Sequence, residues 1–162
     1  KLEDFFTPDY LYDFFSELYG IPTDRRDTRK RMLFARFGIQ EFAQVRVRDL
    51  STGMKQKVSL VISLVQDPEI IIFDEPTNGL DILTAKVVTD FLLDLKEQGK
   101  TIIISTHIFS LVEKICDRVG IIINGRMAAC EDLRTLCGDK SLEDRFFEIY
   151  EAVNGEDENH DK

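Results

Sequence analysis

The run Ile70–Asp81, IIIFDEPTNGLD, constrains this chain more than any other stretch. Four large apolar residues lead straight into two adjacent carboxylates, Asp74 and Glu75. Pro76 and a polar turn ending at Asp81 follow. An apolar run of this length suits a strand buried on both faces. In open parallel sheets, ligands sit beyond the carboxyl ends of the strands. Asp74 and Glu75 are therefore expected where a ligand would bind. Two acids at the rim of an apolar core cost free energy unless a cation or hydrogen-bond donors meet them. A magnesium–nucleotide complex would meet both, with one acid in the metal shell and its neighbour beside an attacking water.

The chain has 162 residues, a length that fits one domain, and its 43% hydrophobic fraction suffices for a packed core. The formal charge is -9. Part of the acidic excess lies after Val153, where Glu156, Asp157, Glu158 and Asp161 stand against Lys162 in what reads as a frayed acidic tail. Such a balance argues against nucleic acid as a partner, because phosphate-backbone attraction needs the opposite sign. The stretch Arg25–Arg36 is locally basic. It reads either as a solvated helix face or as a surface facing another subunit. Cys116, Cys130 and Cys137 fit no metal-ligand spacing, and an odd number makes no disulfide framework. A reducing compartment is expected. No stretch reads as a signal peptide or a membrane span. The chain opens at Lys1 in structured-looking sequence, which suggests a piece of a longer protein.

Helical patterns fill the first part. Thr7 suits a cap with Pro8 in the first turn, and Tyr10–Tyr19 is rich in aromatics up to Gly20 and Pro22. A second helix is expected from Asp24 to about Arg36, with Gly38 just past its end. Ser51 and Thr52 are capping types for a third, whose buried stripe would be Met54, Val58, Val61, Ile62 and Val65. Strand Ile70–Asp74 then precedes a helix over about Ile82–Gln98, with the stripe Leu83, Val87, Phe91, Leu92 and Leu95. Strand Thr101–Thr106, a helix face of Ile108, Leu111, Val112 and Ile115, and strand Val119–Ile123 follow. Asn124–Gly125 is a hairpin turn into Met127–Cys130. Two short helices, near Glu131–Leu136 and Ser141–Ala152, close the pattern. The βαβαβ order implies parallel strands joined by right-handed crossovers, with antiparallel pairing only at the last hairpin.

His107 closes the strand TIIIST much as Asp74–Glu75 closes its neighbour. Alone, His107 also reads as a helix-start residue, and the acid pair as a surface feature. In one parallel sheet, however, all three would share the carboxyl edge. Ser51, Thr52 and Gly53 form a further element. Hydroxyls and a glycine at a helix N-terminus leave backbone N–H groups directed at an anion.

LSTGMKQK resembles the signature motif of ATP-binding cassette (ABC) ATPases, usually written LSGGQ. IIIFDEPTNGLD resembles their Walker B strand and D-loop, and TIIISTH their switch-histidine strand. Order and spacing match, and the resemblance runs from about Phe5 to Tyr150. It implies an α/β, P-loop NTPase-like fold: a partial parallel sheet with flanking helices and an α-helical signature subdomain. Residues 1–68 would be that helical subdomain, 69–154 the C-terminal part of the ATPase core, and 155–162 the acidic tail.

By the same resemblance, Asp74 would hold the Mg2+ shell and Glu75 would be the general base. His107 would contact the γ-phosphate, and Asp81 would sit at the dimer seam. Leu50, Ser51, Thr52, Gly53 and Met54 would serve an ATP held by the opposite subunit. Thr52 stands where glycine is usual and Met54 where glutamine is usual. Such variants resemble sodium- or drug-efflux exporters. No G-x-x-x-x-G-K-[ST] is present, since Gly120 and Gly125 enclose only a strand. The expectation is thus an N-terminally truncated ATPase subunit of an exporter, inactive as this piece alone. The complete protein would bind ATP and Mg2+ and dimerise head to tail. It would dock a membrane permease through the region Phe5–Arg48, at the cytoplasmic face of the membrane. A soluble ABC ATPase of DNA repair or translation, or a degenerate regulatory cassette, are the alternatives.

Overall fold

The structure, a computed structural model, describes residues 2–160, with side chains described from Asp4 to Gly155. Asp161 and Lys162, and the tail side chains from Glu156 onward, lie outside the described residues. The chain forms two compact units, Lys1–Ser105 and Thr106–Lys162.

The first unit begins with helix α1, Pro8–Leu18, capped by Thr7, whose hydroxyl accepts from the Tyr10 N–H at 3.2 Å. Helix α2, Thr23–Phe37, ends at Gly38 with φ of 64°, the left-handed cap that glycine adopts without strain. Two 3-10 turns, Ile39–Phe42 and Val47–Asp49, lead to helix α3, Thr52–Ser63. Strand β1, Ile70–Asp74, helix α4, Ile82–Glu97, and strand β2, Thr101–Ser105, complete the unit. β1 and β2 run parallel, with Ile72 opposite Ile103 and Asp74 opposite Ser105.

The helical core buries Tyr12, Leu33, Phe37, Ile39, Val61 and Leu64. Phe37 meets Phe91 of α4 edge to face, with ring centroids 5.0 Å apart. Removing side chains of this size from water is the main favourable term for the unit.

Three expectations need correction. β1 is buried on one face only: Ile71 and Phe73 are inside, whereas Ile72 is 72% exposed and Ile70 and Ile103 are exposed beside it. The apolar run signalled the strand, but the helices of this unit cover one side of a two-stranded sheet. The α4 stripe is Thr84, Val88, Phe91, Leu92 and Leu95, and Leu83 is 77% exposed. The Asp81 cap sets the helix start, and from there the 3.6-residue period carries Thr84 inward and Leu83 outward. In α3 and the turn after it, Leu60 and Leu64 are buried with Val58, Val61 and Val65, whereas Met54 and Ile62 are half-buried.

The basic stretch of α2 is neither a solvated face nor a subunit surface alone. Lys30 bonds Asp9 and Asp13 of α1, Arg26 pairs with Asp13 at 3.5 Å, Arg29 with Asp67 at 2.9 Å and Arg36 with Asp94 at 2.6 Å. It stitches α2 to its neighbours.

The second unit opens with helix α5, Phe109–Ile115, followed by strands β3, Arg118–Ile123, and β4, Arg126–Asp132. The Asn124–Gly125 turn has φ of 50° and 75°, both positive as a type I′ hairpin turn requires. β3 pairs only with β4, antiparallel, and does not extend the β1–β2 sheet as the alternating order implied. A two-residue turn closes that pairing locally, with far less chain entropy than a crossover strand. Helices α6, Leu133–Cys137, and α7, Leu142–His160, follow. Their core is Ile121, Ile123, Leu136 and Leu142, with Phe109, Phe146 and Ile149 packed against it.

Candidate functional site

Asp74 is the last residue of β1 and is exposed at the carboxyl edge of the sheet. Its partner across the ladder is Ser105, whose hydroxyl donates to Asp74 Oδ1. Sequence reasoning passed over Ser105. Its only signal is a hydroxyl one ladder step before the end of TIIIST.

Glu75 follows with φ of 47°, in the left-handed region that non-glycine residues seldom enter. Its N–H donates to the Ser105 carbonyl at 2.9 Å, the last rung of the ladder. Its own carbonyl accepts from the Asn78 N–H at 3.1 Å, closing a turn with Pro76 at the second position. Pro76 is fully buried and Thr77 nearly so. A fixed ring and a buried threonine thus hold the backbone that carries the half-buried Glu75 side chain. The chain leaves this edge at Ser105, and His107 follows two residues later as the exposed start of the second unit.

Ser51 caps α3, its hydroxyl oxygen accepting from the Met54 N–H at 3.3 Å. That bond uses the oxygen as acceptor and leaves the O–H as a donor. Ser51 and Thr52 are exposed, whereas Leu50 is buried and contributes packing. The first intrahelical bond of this turn is Lys55 N–H to the Ser51 carbonyl, at 2.9 Å. The N–H groups of Thr52 and Gly53 precede it and carry the positive end of the helix dipole.

A Cβ on Gly53 would lie 3.7 Å from Leu80 Cδ2. The start of α3 therefore rests against the turn that leads into α4. Asp81 caps α4: its Oδ1 accepts from the Thr84 N–H at 3.0 Å, and its Oδ2 from the Thr84 hydroxyl at 2.7 Å. The Thr84 hydroxyl, and then the backbone bonds, hold the Asp81 carboxyl below the usual carboxylate range. Leu80 is the second residue that sequence reasoning missed, since its packing against Gly53 crosses 27 positions of chain.

Among the described residues, no group of three His, Cys, Asp or Glu could hold a metal ion. This suits magnesium, which takes one or two carboxylates and completes its shell with waters and substrate phosphates. Asp74 is the carboxylate whose exposure and position fit that use. No helix among the described residues is long and apolar enough to cross a membrane.

The ABC transporter family model matches residues 4–78. The ABC transporter ATP-binding protein NatA of Bacillus subtilis is 38% identical over 131 residues, covering 81% of this chain and 53% of its own length. The Nod factor export ATP-binding protein I of Ralstonia nicotianae is 36% identical over 135 residues, covering 80% of this chain and 40% of its own length. A fluoroquinolones export ATP-binding protein of Mycobacterium tuberculosis is 36% identical over 118 residues, covering 73% of this chain and 38% of its own length. A solved ATP binding subunit of an ABC transporter superposes with a TM-score of 0.84 at 28% identity, over 90% of this chain and 63% of that one. The chain thus spans about half, or less, of the curated relatives it matches.

Proposed function

The chain belongs to the ABC transporter ATP-binding family, and on that premise we propose that it is part of an ATP-hydrolysing subunit powering export through a separate membrane subunit. The parallel register of β1 with β2 carries the reading, because it delivers Asp74 and Glu75 to the carboxyl edge where α/β folds bind ligands. Export as the direction draws on the names of the Nod factor and fluoroquinolones relatives.

Asp74, oriented by the Ser105 hydroxyl, holds the metal shell. Bound Mg2+ would neutralise charge on the phosphates of ATP. Glu75 takes a proton from the water that attacks the γ-phosphorus, and the left-handed turn at Glu75 sets where that carboxylate is presented. His107 contacts the γ-phosphate. Ser51 Oγ and the Gly53 N–H donate to the γ-phosphate of an ATP held by the opposite subunit in a head-to-tail dimer. Asp81 lies at the seam of that dimer. The membrane subunit docks on the region Phe5–Arg48 from the cytoplasmic side. An open groove of about 780 Å³ between α1 and α3, lined by Phe6, Tyr10, Phe14 and Phe15, supports that placement.

Replacing the general base tests the reading. In the full-length protein, Glu75→Gln is expected to lower turnover by about 10²–10⁴-fold. ATP binding and ATP-dependent dimerisation are expected to persist. Near-normal turnover would remove Glu75 from this role.

A further inference from the structure

One side-chain cluster away from the sheet edge has a geometry that salt-bridge counting does not explain. Asp67 sits in the connection between α3 and β1 with φ of 56°. Arg29 of α2 reaches it with a fork: Nη2 donates to Asp67 Oδ1 at 2.9 Å, and Nε donates to the Leu64 carbonyl at 3.0 Å. Leu64 is the residue that ends α3, and its carbonyl also accepts from the Asp67 N–H at 3.1 Å. From the other side, Lys100 Nζ lies 3.1 Å from Asp67 Oδ1, 3.2 Å from the Asp67 carbonyl and 3.0 Å from Glu69 Oε1. Arg25 adds a looser contact with Asp67 at 4.0 Å.

These cations are not typical surface charges. The side chains of Lys100 and Arg29 are 9% and 17% exposed. Burial alone would raise the Asp67 carboxyl. The hydrogen bond from Lys100 and the charge of Arg29 outweigh that and hold it below the usual carboxylate range. Partly buried, hydrogen-bonded pairs of this kind escape much of the screening that makes exposed pairs worth little.

The position matters more than the strength. α3 starts at Ser51–Gly53, and β1 ends at Asp74–Glu75. Asp67 lies between them, at the one joint through which the two active elements are connected along the chain. α3 has twelve residues, so its start lies about 18 Å from its end. A rotation of about 3° at the joint would shift that start by about 1 Å over such a lever. A misplacement of that size can cost about 10²-fold in rate.

We propose that Asp67 is a positioning residue: gripped by Arg29 and Lys100, it locks α3 to β1 so that the Ser51–Gly53 helix start keeps a fixed geometry relative to Asp74 and Glu75. The inference rests on the ATPase reading above for its effect on rate, but the lock itself is measurable without turnover.

The test uses full-length Asp67→Asn and Arg29→Lys, with Asp67→Glu as the conservative control. Asp67→Asn keeps the shape and loses the charge. Arg29→Lys keeps the charge and loses the fork to Leu64, so it reports even where Asp67→Asn fails to fold. Both are expected to lower kcat about 10-fold or more, with KM for Mg-ATP within about two-fold. Both are also expected to speed amide hydrogen exchange over residues 51–57 several-fold relative to the α1 core. Asp67→Glu is expected to recover most of both. A drop in melting temperature with kcat and exchange at 51–57 unchanged would make Asp67 merely structural and overturn the proposal. If the wild type lacks Mg-ATPase activity, the ATPase reading fails instead. The exchange measurement then still decides the lock: unchanged exchange in Arg29→Lys refutes it.

Discussion

Ser105 stands opposite Asp74 in the parallel ladder, and its hydroxyl donates to the Asp74 carboxylate. Both residues point to the open face of the sheet, where Ile72 and Ile103 are exposed. The bond limits the rotamers that Asp74 can adopt at a strand end where nothing else on its own strand restrains it. A carboxylate held this way is oriented before any ligand arrives.

Ser105→Ala is therefore expected to act through the metal requirement. Partners of metal-binding carboxylates typically contribute about 10–100-fold in affinity. The Mg2+ concentration for half-maximal ATPase activity of the full-length protein should rise by that order, while melting temperature stays close to wild type. An unchanged magnesium dependence would detach Ser105 from the site.

Gly53 separates fold from function on one residue. An added Cβ meets Leu80 Cδ2 at 3.7 Å, an ordinary contact. Gly53 also lies within helix α3 and outside the positive-φ region, so alanine suits its backbone. Gly53→Ala is expected to leave stability unchanged or raised by up to about 1 kcal/mol. If the outward side of this turn receives a phosphate, ATP-dependent dimerisation should nevertheless weaken. Sedimentation with ATP and the Glu75→Gln background would read it. Intact dimerisation would show that the turn does not face the nucleotide.

Tyr12 makes an unusual prediction for a fully buried aromatic. Its hydroxyl is buried with no hydrogen-bond partner among the described residues. Burial raises the phenol to about 12, so it is neutral at any ordinary pH. An unmet buried hydroxyl costs about 1–3 kcal/mol. Tyr12→Phe keeps the packing against Phe34, where the rings meet edge to face at 5.6 Å. It is expected to be neutral or stabilising in denaturant unfolding. A loss above about 1 kcal/mol would show that the hydroxyl is satisfied.

The Asp67 cluster also predicts a pH dependence with a definite sign. Its carboxyl is held below the usual range in the folded state. Such a group binds protons more readily when unfolded, so its contribution is complete above the unfolded value near pH 4 and is lost as pH falls through the folded value. Acid unfolding of Asp67→Asn should accordingly show a shallower loss of stability below about pH 4 than wild type. Parallel curves would mean that other carboxylates, such as Asp81 and Glu148, carry the acid sensitivity.

Local chemistry made most of the elements legible. Thr7, Ser51 and Asp81 cap helices because their side-chain oxygens accept nearby N–H groups, and no tertiary contact is needed for that. Gly38 and Asn124–Gly125 end elements because few other residues tolerate positive φ. The acid pair of Ile70–Asp81 marked the strand end for the same kind of reason: apolar residues stop where charge begins.

Which face each element buries was beyond the reach of pattern. β1 reads as buried on both sides from its composition, yet Ile72 is exposed because burial depends on what lies across the sheet. The charges of α2 could not be assigned either, since Arg29 finds Asp67 only after 38 positions of chain have folded back. Ser105 at Asp74 and Leu80 at Gly53 belong to the same category. Caps and turns depend on neighbours a few residues away, so the amino-acid sequence by itself determined where elements start and stop and which acids end the strand. Partners tens of residues apart meet only when packing sets the register. Tertiary structure alone therefore decided which side chains hold Asp74, Gly53 and Asp67 in place.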